Sequence, residues 1–149
     1  TMGVSVLSSL ILISEIGTDM SRWRHEKAFS SWLGLSPNHK ISGGKILGNR
    51  TRRVVNRASS VLRLIALAVG KTDTVLGHFY RRIRARAGAP KAITATARKI
   101  ACLIYYLLKH KKPYVEPDLA NYLERFEKQR IRNLARQART LGFQLVPVA

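Results

Sequence analysis

Ser42 stands in a run of small and basic residues, Ile41-Ser42-Gly43-Gly44-Lys45-Ile46-Leu47-Gly48-Asn49-Arg50-Thr51-Arg52-Arg53. A serine hydroxyl can attack a phosphodiester when a base takes its proton and a metal or arginine stabilises the charged phosphorane. Three glycines in six positions free the backbone for φ > 0 and keep side-chain bulk away from that hydroxyl. Lys45, Arg50, Arg52 and Arg53 follow at once, and Arg57 comes one helical turn after Arg53, so the expected ligand is a polyanion. No residue of the run supplies the base. On the residues alone, a mobile, solvated connector competes with a ligand loop.

Other chemistries fit poorly. Gly43-Gly44-Lys45 is not a Walker loop, which needs glycine at 39 and Ser or Thr at 46, where the chain has His39 and Ile46; no strand is expected before it. His25, His39, His78 and His110 are scattered, without carboxylates or thiolates at ligand spacing, so no metal site is expected in this chain. Its 8 acidic residues are unclustered and cannot form the carboxylate set that holds two magnesium ions. His78-x-x-Arg81 with Tyr105 and Tyr106 downstream is similar to the clamp and nucleophile of tyrosine recombinases. Tyr80 and Tyr105 fall on core stripes, however, and a two-residue match is weak.

The composition widens the basic theme to the whole chain. Against 8 Asp and Glu stand 27 Lys and Arg, a net +19 with a pI near 11.3, far beyond what internal ion pairs absorb. A partner must supply anions, and nucleic acid is a commoner one than an anionic membrane. The excess lies in both halves, so this is not a neutral domain with a basic tail. With 149 residues and 46% hydrophobic content, one core is expected, with room for an appendage. The lone Cys102 excludes an internal disulfide framework and reads as a small buried residue. No apolar run approaches a membrane-spanning length and no signal peptide opens the chain, which points to the cytoplasm.

Apolar periodicity predicts an all-α fold of about six helices. The first lies within residues 1–16, after a turn at 1–5, and is closed by Gly17; its abrupt start suggests an excised fragment. The second runs over 25–33 and ends at Gly34. A third covers 54–69, with Val54, Val55, Ala58, Val61, Leu62 and Ile65 inward and Arg53, Arg57 and Arg63 on the other face. Thr72 or Asp73 would cap a fourth, closed at Gly88 and Pro90, whose end from Arg81 to Arg86 is basic at every exposed position. A fifth runs over 91–110. The last is long, capped by Asp118 and stopped at Gly142, with a stripe too irregular for a coiled coil and suited to docking on the body or a partner. The one strand considered is a short segment at 143–148. Residues 1–114 would form the core with the serine loop, and 115–149 the C-terminal helix and tail.

Three segments carry a resemblance to a known family: Ser14-Glu15-Ile16-Gly17-Thr18-Asp19-Met20; Glu26-Lys27-Ala28-Phe29-Ser30-Ser31-Trp32-Leu33-Gly34-Leu35-Ser36-Pro37; and Ile41-Ser42-Gly43-Gly44-Lys45. Together they resemble the C-terminal domain of the insertion sequence 110 (116/902) family transposases. Tyr80-Arg81-Arg82 and the closing Arg136-Gln137-Ala138-Arg139-Thr140-Leu141-Gly142 to Pro147 look similar too. The resemblance implies a DNA recombinase whose N-terminal RuvC-like domain, absent from this chain, holds magnesium through acidic residues, while the helical C-terminal domain supplies a serine nucleophile, here Ser42. It further implies guidance by a structured bridge RNA, a homo-oligomer in the full-length protein, a prokaryotic, nucleoid-associated location, no membrane partner and no cofactor within this chain. Alone, the fragment would be inactive. Residues 1–16 look like the second half of a helix-hairpin-helix, with Ser5 where the hairpin often has glycine. His25 stands where relatives often have a capping serine. The expected function is attack of Ser42 on a DNA phosphodiester, with Lys45, Arg50, Arg52, Arg53 and Arg57 binding nucleic acid. The rival is a non-catalytic basic helical DNA- or RNA-binding module.

Overall fold

The computed structural model describes residues 4–38, 40–48 and 50–147, with the backbone alone at Lys40 and Ile46. Among them are six helices and one two-stranded hairpin: α1 Val6–Ile16, α2 Glu26–Trp32, β1 Lys40–Ser42, β2 Lys45–Gly48, α3 Arg57–Val69, α4 Val75–Ala87, α5 Ala89–His110 and α6 Leu119–Thr140. The chain divides into two compact units, Thr1–Val115 and Glu116–Ala149. The helical fold is as expected. The half helix-hairpin-helix rests partly on residues 1–3, outside the described residues. No strand forms over 143–147, and Val148 lies outside the described residues.

Helix starts follow side-chain capping. Ser5 accepts a hydrogen bond from the Ser8 amide, Asn56 from Ser59, Thr74 from Gly77 and Asp118 from Ala120. His25 does the same work for α2, its Nδ1 accepting from the Ala28 amide at 3.0 Å. Two expected boundaries move for this reason. α3 begins at Arg57, three residues later than its apolar stripe suggests, because Asn56 takes the cap. α4 is capped by Thr74 rather than Thr72 or Asp73. The Thr72 hydroxyl instead donates to the Val69 carbonyl at 2.8 Å. Pro90, expected to close the fourth helix, opens the fifth: Gly88 breaks the chain at φ 84°, and proline suits a first turn that lacks an upstream acceptor.

In the first unit α5 packs against α2, α3 and α4, and α1 packs on α3. Phe29, Leu33, Leu35, Leu62, Ile65 and Val69 are almost fully buried there. Phe29 sits edge-on to Trp23, with ring centroids 4.8 Å apart, and 5.9 Å from Tyr105. The buried Tyr105 hydroxyl donates to the Trp23 carbonyl at 2.9 Å, tying the loop before α2 to α5. This aromatic cluster fixes α2, and α2 in turn positions the chain leading to Ser42. Cys102, expected to be buried, is only partly so. In the second unit α6 carries a stripe of Leu123, Phe126, Leu134 and Ala138 and the i,i+4 ion pair Glu124–Lys128.

One glycine reports how closely the helices meet. A Cβ at Gly77, inside α4, would lie 2.1 Å from the Thr72 carbonyl oxygen and 2.8 Å from that of Val69. Glycine to alanine within an exposed helix stabilises by roughly 1 kcal/mol. Here the sign should reverse, with Gly77→Ala destabilising by about 2–4 kcal/mol because backbone must move. A urea titration of the two proteins measures the difference.

Candidate functional site: a serine hairpin and its basic foot

The run around Ser42 is a β-hairpin rather than an irregular loop. Gly43 and Gly44 have φ of 54° and 73° and form the two-residue turn, with Ser42 paired to Lys45 across it. Both central residues need φ > 0, as in a type I′ turn, whose twist matches that of paired strands. A Cβ at either glycine would meet nothing, so backbone conformation, not space, calls for them. The ladder continues with Ile41 opposite Ile46 and Lys40 opposite Gly48, with an irregularity between Lys40 and Ile41. Further down, the Asn38 amide donates to the Arg50 carbonyl at 3.1 Å, and Pro37 bridges Thr51. Ser42 is exposed at the tip, and Ile41 and Leu47 are exposed with it.

The foot of this hairpin is rooted in the core. Leu33 and Leu35 are buried, the Leu35 amide donates to the Ser30 carbonyl at 2.9 Å, and the Ser30 and Ser36 hydroxyls lie 2.8 Å apart. Between them Gly34 turns the chain at φ 65°, and a Cβ there would fall 2.8 Å from Val54 Cγ2 and 2.9 Å from the Arg52 carbonyl oxygen. The returning strand therefore lies directly on the end of α2.

This arrangement separates the expected site residues into two groups. Ser42 and Lys45 share the tip. Arg50, Arg52 and Arg53 lie at or beyond the foot, five residues down the ladder, roughly 17 Å at about 3.3 Å per residue. Arg53 belongs to the extended segment before Asn56, so it does not share a helix face with Arg57 and Arg63 as expected. Arg57 opens α3, with Nε 3.8 Å from Glu15 Oε1. Arg57 is largely exposed, so this pair adds little to stability. Arg63, taken from the sequence only as helix-face charge, lines the same groove as Arg52 and Arg53.

The residues weighed for a tyrosine nucleophile have structural work. Arg81 donates to the Thr72 carbonyl at 2.8 Å and to Asp73 Oδ1 at 3.2 Å, closing the turn between α3 and α4, with His78 3.9 Å from the same carboxylate. Tyr80 is buried, and its ring fills the space above Gly70. Tyr105 is buried and hydrogen-bonded, and the Tyr106 ring lies 4.5 Å from that of His110. Cys102 is no activated thiol, since burial pushes its pKa above the ordinary value. No three His, Cys, Asp or Glu side chains among the described residues come together as a metal site; His39 lies outside them. Asp19 accepts from the hydroxyl and amide of Ser21, which hold its carboxyl below the usual range. No described helix is long and apolar enough to cross a membrane.

The comparison with family models gives this basic helical body and its serine hairpin a family. Residues 1–81 match the Transposase IS116/IS110/IS902 family, more than half of the chain, and the chain belongs to that family. Its function is accordingly that of a transposase, with DNA as the partner. The matched span holds α1, α2, the hairpin, α3 and the first part of α4, with Ser42 and all five expected basic residues. The likeness noted over 136–147 lies beyond it. No curated protein and no solved structure gives a match.

The two kinds of glycine should behave differently. Gly34→Ala combines a strained φ with a collision against backbone, and should cost about 2–3 kcal/mol of global stability. Gly44→Asn should keep the hairpin, since asparagine tolerates φ > 0, while Gly44→Val should cost about 1–2 kcal/mol, confined to the hairpin. Urea melts read the first, and amide hydrogen exchange at Ser42 and Lys45, the hydrogen-bonded pair beside the turn, the second.

Proposed function

We propose that this chain is the nucleic-acid-binding and nucleophile-bearing part of a transposase, in which Ser42 attacks a DNA phosphodiester. The observation that carries the reading is the exposed Ser42 at the tip of a Gly-Gly hairpin, with Lys45 directly across the ladder. In the step, the Ser42 hydroxyl gives up its proton and Oγ forms a bond to phosphorus. One P–O bond of the DNA breaks, and the released sugar oxygen takes a proton. Lys45 is positioned to neutralise charge at the attacked phosphate, while Arg50, Arg52 and Arg53 bind phosphates farther along. Residues 40–48 contain no carboxylate or imidazole, so the base comes from elsewhere.

The family resemblance supports placing that base and the magnesium ions in a RuvC-like domain. It also supports guidance by a structured RNA and assembly as a homo-oligomer that joins domains of different protomers. This chain alone then binds DNA without cutting it. Its domains are the core with the serine hairpin, 1–114, and the C-terminal helix and tail, 115–149, and it works beside the prokaryotic nucleoid.

Binding should be dominated by phosphate contacts, so affinity for duplex DNA or structured RNA should fall steeply with salt and vary little with sequence. Replacing Arg52 and Arg53 with glutamine together should weaken it more than replacing Lys111 and Lys112. Ser42→Ala should leave affinity within a factor of about two, because a neutral hydroxyl adds little to phosphate binding beside the cationic contacts. Fluorescence anisotropy across a salt series checks all three. Failure of the wild-type chain to bind at low salt contradicts the reading.

A further inference from the structure

At the foot of the hairpin, three segments enclose an open groove of about 310 Å³. The turn after α2 forms one wall through Leu33 and Gly34, and the returning strand forms another through Arg52, Arg53 and Val55. The first turns of α3 close it with Ser59, Ser60 and Arg63, which share one helix face by their three- and four-residue spacing. None of Arg52, Arg53 and Arg63 has a carboxylate partner among the described residues. The half-buried Arg63 is nonetheless held in place. Its Nη1 donates to the Thr94 hydroxyl at 2.9 Å, and that hydroxyl donates to the Pro90 carbonyl at 3.1 Å. The tether runs to neutral oxygen, so the full charge remains, with further N–H donors left for a ligand. Exposed Arg52 and Arg53 converge with the tethered Arg63 on one concave surface, and an anion seated there would offset the repulsion among three like charges.

We propose that this groove is a subsite for one phosphodiester of the nucleic-acid backbone, gripped by Arg52, Arg53 and Arg63 and flanked by Ser60, whose hydroxyl donates to the Asn56 carbonyl at 3.4 Å. The inference rests on the nucleic-acid-binding reading above and adds a site and a residue that it does not assign. Planar guanidinium groups suit a phosphate's oxygens in paired hydrogen bonds. The subsite lies a hairpin's length from Ser42, so it holds a phosphate other than the attacked one and sets the register of the strand.

The test uses the full chain and labelled duplex DNA, with log affinity plotted against log salt for wild type, Arg63→Gln, Arg63→Lys and Ser60→Asp. Lys112→Gln, outside the groove, serves as the control for loss of one positive charge. Arg63→Gln should bind roughly tenfold more weakly at low salt, with a salt slope shallower by about one, while Arg63→Lys keeps most of the slope. Ser60→Asp guards against a mere folding defect. A carboxylate in the first turns of α3 complements the helix dipole, so its melting temperature should hold or rise while its DNA affinity falls. A DNA-binding wild type whose Arg63→Gln and Ser60→Asp variants keep its affinity and slope overturns the subsite alone. Absence of any wild-type binding overturns both the subsite and the parent reading. Stabilisation of wild type but not Arg63→Gln by inorganic phosphate, with unchanged DNA binding in both variants, would make the groove a free-anion site and reject the backbone assignment.

Discussion

The close seat of Val54 and the Arg52 carbonyl on Gly34 is the constraint on which the presentation of Ser42 depends. A two-stranded hairpin alone is marginally stable in water, and this one exposes Ile41 and Leu47 instead of covering them. Its order therefore comes from its two ends. The outgoing strand leaves buried Leu33 and Leu35, and the returning strand lies against the only residue type whose missing Cβ permits the contact. α2 can provide that seat because Phe29, Trp23 and Tyr105 lock it against α5. A chain of contacts thus runs from the aromatic core, through one glycine, to an exposed hydroxyl.

The same geometry sorts the charge. Several basic residues are structural: Arg81 closes the turn between α3 and α4, and Lys128 pairs with Glu124 along α6. Others carry charge with no acidic counterpart, as 27 Lys and Arg against 8 acidic residues require. Arg52, Arg53 and Arg63 fall in this second group and lie where the core meets the hairpin, not at its tip. Under the proposed function, a nucleic acid engaging both places would span the hairpin's length, and binding and chemistry would fall to different residues, with Lys45 beside the chemistry.

The helices were legible because their apolar stripes are long. α3 and α5 repeat at three and four residues over several turns, and no other element satisfies that spacing. Their ends were less so, because Asn56 and Thr74 outcompete neighbouring candidates by geometry that spacing does not encode. The hairpin carried a recognisable signal, Gly-Gly between Ile41-Ser42 and Lys45-Ile46-Leu47. Glycine and basic residues dominate the stretch, however, and strands of three and four residues leave little alternation to read. The basic residues seemed one cluster because they adjoin in sequence, whereas an antiparallel ladder carries its return strand away from the tip. The apolar stripe groups Arg63 with Arg53 as neighbours on one helix face, whereas they meet from separate segments, which the turn at Gly34 and the cap at Asn56 bring together.

The proposal that Ser42 is the nucleophile is tested most directly by trapping the protein–DNA adduct and mapping the linked residue. The reaction would contain this chain's residues within the full transposase, guide RNA, magnesium and DNA. After denaturation and digestion, mass spectrometry identifies the peptide that carries the nucleotide. The account predicts a phosphoserine link at Ser42 and no adduct with Ser42→Ala, whose loss of one oxygen leaves the hairpin's backbone unchanged. A link on Tyr106 or any other residue, or an adduct that survives Ser42→Ala, would contradict it.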